Sequence, residues 1–144
     1  MAGITLTAKT LRPAIRVYGA EPLGADDAAR SVASGRWIPQ TQPQTIADGL
    51  LTSLGQHNWP IIRDGVDGIL TVSEDEIIAA MRFVWERTKQ LIEPSAVVAV
   101  AALHATDFAP QTALRRVAVV LSGGNTDVEK LPWTAAETSK PGKP

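Results

Sequence analysis

Residues 117–121 read Val-Ala-Val-Val-Leu and are followed at once by Ser122-Gly123-Gly124-Asn125. Five apolar residues without alternation are what a strand covered on both faces requires. Such a strand belongs in a largely parallel sheet with helices on both sides. The polar, glycine-rich stop then puts a hydroxyl and a pliant backbone at the carboxyl end of the strand, where open α/β sheets receive ligands. Glycines let the backbone approach a ligand closely. Successive N–H groups form an anion nest, and a serine hydroxyl can donate or accept one hydrogen bond. A tight turn that merely closes a strand has the same composition, so this stretch alone leaves both readings open.

The other segments supply the matching helices and strands. Residues 4–11 fit the last turns of a helix closed by Arg12-Pro13. Residues 15–20 form a β-rich run that stops at Glu21-Pro22. A short helix lies between Gly24 and Gly35, and residues 36–44 are a proline- and glutamine-rich loop. Residues 45–54 read as helical despite Gly49, residues 59–66 are ambiguous, and Gly68 to Thr71 fit a short strand. Ser73 and Glu76 make a capping box, with Val72 and Ile77 as the hydrophobic staple around it. From there Ile77, Ala80, Met81, Val84, Trp85, Thr88, Leu91 and Ile92 recur at helical spacing. Pro94 ends that helix and starts a second, apolar nearly all round, through Ala105. The alternation predicts an α/β fold: three layers, a largely parallel sheet with helices on both faces.

Length and charge narrow the possible functions. A chain of 144 residues suffices for one core. A net charge of −1 gives no electrostatic basis for nucleic acid or an anionic membrane. No apolar stretch reaches the roughly 20 residues of a membrane span, and the N-terminus lacks the pattern of a signal peptide. The absence of cysteine removes disulfides, thiolate nucleophiles and cysteine metal sites, and is compatible with a cytoplasmic location. Residues 135–144 have the composition of a disordered tail after a domain at 1–134.

Few side chains suggest chemistry by themselves. Glu21 and Asp27 are hard oxygen ligands, and a carbonyl between them would complete a face for Mg²⁺, Mn²⁺ or Ca²⁺. Helix capping by Asp26 or Asp27 is the simpler reading of that spacing. His57 and His104 stand apart with no metal-ligand spacing. Of the five lysines, Lys89 lies one turn before Glu93, where an i, i+4 ion pair is the ordinary explanation.

In order, IRVYGAEPLGADDA, TIADGL, WPIIRD, ILTVSEDEI, WERTKQLIEPSA and VAVVLSGGN resemble the C-terminal part of serine racemases and threonine/serine dehydratases. These are enzymes of the tryptophan-synthase-β-like fold (fold type II) that use pyridoxal 5′-phosphate (PLP). The resemblance runs from about Gly3 to about Trp133. It implies most of the large domain of such an enzyme, incomplete at the N-terminus. It also implies that Ser122 bonds the pyridine nitrogen of PLP, with Gly123, Glu93 and Gly49 close to the cofactor. Glu21, the Ala25 carbonyl and Asp27 match a divalent-cation site. Lys89 and Asn125 match contacts to an ATP effector at a subunit interface.

Equally informative is what the sequence lacks. The family's S-F-K-x-R-G-A motif with its Schiff-base lysine, the S-x-G-N-H-A loop and the glycine run that cradles the phosphate do not occur here. Gly65 and Gly68 stand where relatives often carry larger or acidic residues. The resemblance therefore implies a chain that is inactive alone. It would work on small amino acids such as serine or threonine with an N-terminal, lysine-bearing segment or chain, as a homo-oligomer. A non-catalytic remnant or interaction module keeping the dimer and cation surfaces is the alternative. Either way, apolar surface left uncovered should find a partner or aggregate.

Overall fold

The computed structural model describes residues 1–105 and 116–134. Its elements follow the order α1 (Ala2–Leu11), β1 (Tyr18–Pro22), α2 (Asp27–Ser34), α3 (Trp59–Gly65), β2 (Gly68–Val72), α4 (Glu74–Thr88) and α5 (Pro94–His104). Strands β1 and β2 pair in parallel, with Tyr18 opposite Gly68 and Pro22 opposite Val72. Side chains alternate across such a ladder. Ala20, Leu70 and Val72 face the core that α4 and α5 build from Ile77, Met81, Val84, Val97, Val98 and Ala101. Glu21 points the other way, toward α2, and its carboxylate accepts a hydrogen bond from the Ala29 amide at 2.9 Å. The sheet thus carries helices on both faces.

Local chemistry explains most boundaries. The Ser73 hydroxyl accepts from the Glu76 amide, and the Glu76 carboxylate accepts from the Ser73 amide at 2.7 Å, so the capping box starts α4 as predicted. Val72 and Ile77 are buried on either side of it. Gly35, at φ 69°, ends α2 in the left-handed conformation that costs glycine least. The ambiguous residues 59–66 fold as α3, with Pro60 in its first turn.

Three expectations are corrected. Residues 45–54 are not a helix. They hold one 3₁₀ turn, Asp48–Leu50, because the Thr45 hydroxyl and Asp48 carboxylate accept from the nearby Ala47 and Gly49 amides at 3.1 and 2.9 Å. Such local bonds compete with helical ones. Helix α4 does not run on to Ile92. It stops at Thr88, and Lys89 turns left-handed at φ 60° with its ammonium on the Glu86 carbonyl at 2.6 Å. That ammonium satisfies a carbonyl at the negative end of the helix dipole, so the expected Lys89–Glu93 pair does not form. Finally, residues 117–121 are extended but join no ladder among the described residues. Val117, Val120 and Leu121 stay about half exposed, at 50%, 55% and 47%. An apolar run becomes a buried strand only where a neighbour supplies the ladder, and β1 and β2 supply only each other. Residues 135–144, expected to be a disordered tail, lie outside the described residues.

Candidate functional site

The loop Ser122–Asn125 sits on the connector between α4 and α5. The Glu93 amide donates to the Gly123 carbonyl at 3.2 Å. The Glu93 carboxylate in turn accepts from the Asn125 amide at 2.7 Å. The backbone approach is close enough to demand glycine: a Cβ at Gly123 would lie 2.5 Å from Glu93 Oε1, and one at Gly124 would lie 2.6 Å from the Leu91 carbonyl. The connector is itself fixed, because Ile92 is buried and its carbonyl accepts from the Trp85 indole at 2.9 Å. The Ser122 hydroxyl is exposed and has no hydrogen-bond partner among the described residues.

Gly49 approaches the same connector from the other side. Its amide donates to the Ser95 hydroxyl at 2.9 Å, and that hydroxyl also donates to Asp48 at 3.3 Å. Sequence reasoning missed Ser95 and Asp48. The signal was available, since a serine directly after a proline at a helix start has its hydroxyl free for a neighbouring loop. Of the predicted residues, Ser122, Gly123, Glu93 and Asn125 are together, and Gly49 joins them through Ser95. Lys89 lies earlier on the connector, engaged with Glu86.

Glu21, Ala25 and Asp27 form a second group, where β1 passes into α2. Ala25 and Asp27 are buried. Burial raises the Glu21 carboxyl to about 7; the Ala29 amide opposes that shift, and the neighbouring Asp27 carboxylate adds to it. The Asp27 carboxylate accepts from the Leu54 amide at 2.6 Å. Asp26, the residue before α2, makes no side-chain cap and pairs with Arg30 at 2.8 Å. Among the described residues no cluster of three acidic or histidine side chains occurs. Any cation here would rest on two carboxylates and a carbonyl.

PLP fits the first group only in part. A free hydroxyl with glycine beside it suits the edge of a heteroaromatic ring. The described lysines are engaged elsewhere: Lys9 with Asp67 at 2.7 Å, Lys89 with the Glu86 carbonyl, and Lys130 with Asp127 at 3.5 Å. Lys140 and Lys143 lie outside the described residues.

Comparison with known proteins settles the ancestry. Residues 1–123 match the family described as pyridoxal-phosphate dependent enzyme. The chain belongs to that family. It is 48% identical to serine racemase of Bos taurus over 142 residues, covering 97% of this chain and 42% of the relative. The crystal structure of serine racemase from Dictyostelium discoideum superposes with a TM-score of 0.83 at 47% identity, over 88% of this chain and 40% of that one. A threonine deaminase crystal structure, from the bacterium abbreviated T.th., superposes at 0.76 with 43% identity, over 88% and 46%. The family member described here therefore spans less than half the length of these relatives, and its fold is the α/β, parallel-sheet fold of type II PLP enzymes. No helix among the described residues is long and apolar enough to cross a membrane.

Proposed function

We propose that residues 1–134 form the C-terminal portion of the large domain of a PLP-dependent threonine/serine dehydratase (ammonia-lyase) or serine racemase. In this reading the chain supplies the pyridine-nitrogen contact and a divalent-cation site, and it depends on a lysine-bearing N-terminal segment or chain. The observation that carries the reading is the docked loop, which holds a free Ser122 hydroxyl over the α4–α5 connector in a chain whose relatives are serine racemases.

When bound, PLP supplies the electron sink for a negative charge beside an amino acid's carboxylate. This chain's residues do the holding. The Ser122 hydroxyl donates to the ring nitrogen and, being neutral, leaves that nitrogen largely unprotonated. Glu93, Gly123 and Gly49 shape the adjoining wall. Glu21, the Ala25 carbonyl and Asp27 take Mg²⁺, Mn²⁺ or Ca²⁺, whose charge would offset the crowding of the carboxylates. Lys89 and Asn125 are the residues for a nucleotide effector. The exposed apolar residues Ile4, Leu6, Leu11 and Val120 are surfaces for the lysine-bearing segment and for a homo-oligomer in the cytoplasm.

The engaged lysines favour a second reading, a non-catalytic module that keeps the cation and association surfaces. One experiment separates the two. The chain is co-purified with a lysine-bearing N-terminal segment of a serine racemase, PLP and Mg²⁺, and supplied with L-serine or L-threonine. Formation of 2-oxo acid or D-serine that is lost in Ser122→Ala supports the enzyme reading. A stable complex without turnover supports the module.

A further inference from the structure

The first turn of α5 reaches two loops at once. Glu93, the residue before the helix, holds residues 123–125 through its amide and its carboxylate. Ser95, one residue past Pro94, holds Asp48 and Gly49 through its hydroxyl. Neither loop is regular secondary structure beyond the single 3₁₀ turn at Asp48–Leu50. Both carry residues read above as the cofactor wall.

The turn between them is rigid. Pro94 fixes its own φ, Ile92 is 1% exposed, and Ala96, Val97 and Val98 are buried immediately after it. The fit is close on both sides, since a Cβ at Gly49 would lie 3.0 Å from Ser95 Oγ and one at Gly123 would lie 2.5 Å from Glu93 Oε1. A shift of this turn would therefore displace both loops together.

We propose that Glu93-Pro94-Ser95 is a positioning element, in which Ser95 sets the Gly49 loop and Glu93 sets the height of Ser122 against the cofactor ring. Ser95 and Glu93 are positioning residues that act through the backbones they hold. The proposal rests on reading Ser122 as a cofactor contact, and the test keeps the two apart.

Amide hydrogen exchange in the full chain reads the two arms directly. Ser95→Ala should speed exchange at Gly49, and Glu93→Ala at Asn125, each by about fivefold, the effect of one ordinary hydrogen bond. Each substitution should leave the other arm's amide unchanged. Ser95→Thr and Glu93→Gln retain an acceptor and should restore protection. They also remain informative if an alanine variant does not fold. Equilibrium PLP binding by the complex with the lysine-bearing segment gives the second readout. Ser122→Ala, Ser95→Ala and Glu93→Ala should each weaken it, with rescue by the threonine and glutamine variants. If Ser122→Ala weakens PLP binding while Ser95→Ala and Glu93→Ala do not, the positioning proposal is overturned and the Ser122 reading stands. Unchanged binding in Ser122→Ala overturns the Ser122 reading, whereas unchanged exchange at both amides overturns the two-armed turn.

Discussion

Trp85 and Trp133 meet edge to face with their ring centroids 5.6 Å apart. Trp85 also donates to the Ile92 carbonyl, and Trp133 closes the segment that follows the Ser122 loop. The pair thus clamps that segment to α4 from the side opposite Glu93. Replacing Trp133 with alanine removes an aromatic pair and part of a buried ring, at a cost of about 1–3 kcal/mol. Urea unfolding monitored by circular dichroism should show the lowered midpoint. An unchanged midpoint would mean the ring does not hold the segment.

The capping box makes a narrower prediction. Ser73→Ala should cost about 1 kcal/mol, and Ser73→Asp should recover most of it. The Ser73 amide and then its hydroxyl hold the Glu76 carboxyl below its ordinary value. A depressed carboxyl stabilises the fold above its unfolded value and loses that contribution as pH falls through the folded one. The difference in melting temperature between wild type and Ser73→Ala should therefore be larger near about pH 7 than near about pH 3.

Glu21 behaves in the opposite sense. Its folded value of about 7 lies above the ordinary 4.5, so in a chelator its contribution to stability is greatest at low pH. That contribution falls as pH rises between those two values. A divalent cation bound by the carboxylates reverses the penalty, and Mg²⁺, Mn²⁺ or Ca²⁺ should raise the melting temperature more near about pH 8 than near about pH 6. Glu21→Gln should abolish the cation effect and flatten the pH dependence. An equal cation shift in that variant would remove Glu21 from the site.

Gly24 offers a steric test of the same loop. Its carbonyl accepts from the Gln44 amide at 2.9 Å, and a Cβ there would run into the Gln44 carbonyl. Backbone cannot swing aside as a side chain can, so Gly24→Ala should destabilise the chain by about 1–3 kcal/mol. It should also weaken any cation bound at Glu21 and Asp27. Thermal unfolding with and without Mn²⁺ checks both effects, and a variant as stable as wild type would mean that the loop yields.

Elements whose start is written in adjacent residues were legible: the Ser73 box, the glycine closing α2, and Pro94 opening α5. Elements that depend on distant partners were not. The run 117–121 has strand composition, yet no described strand lies beside it to make a ladder. Residues 45–54 have helical spacing, but the Thr45 and Asp48 side chains claim the local amides. For the site, Ser122, Gly123, Glu93 and Asn125 were named from the sequence. Ser95 was not, because its importance comes from a loop 46 residues away.

The central claim is that this polypeptide holds the ring edge of the cofactor and carries no lysine that bonds to it. Incubating the purified chain with PLP, reducing with borohydride and mapping peptides by mass spectrometry tests this directly. The account predicts no stoichiometric pyridoxyl label on Lys9, Lys89, Lys130, Lys140 or Lys143, and one label per complex on the added segment when it is present. Full labelling of a single lysine in the chain alone would contradict it.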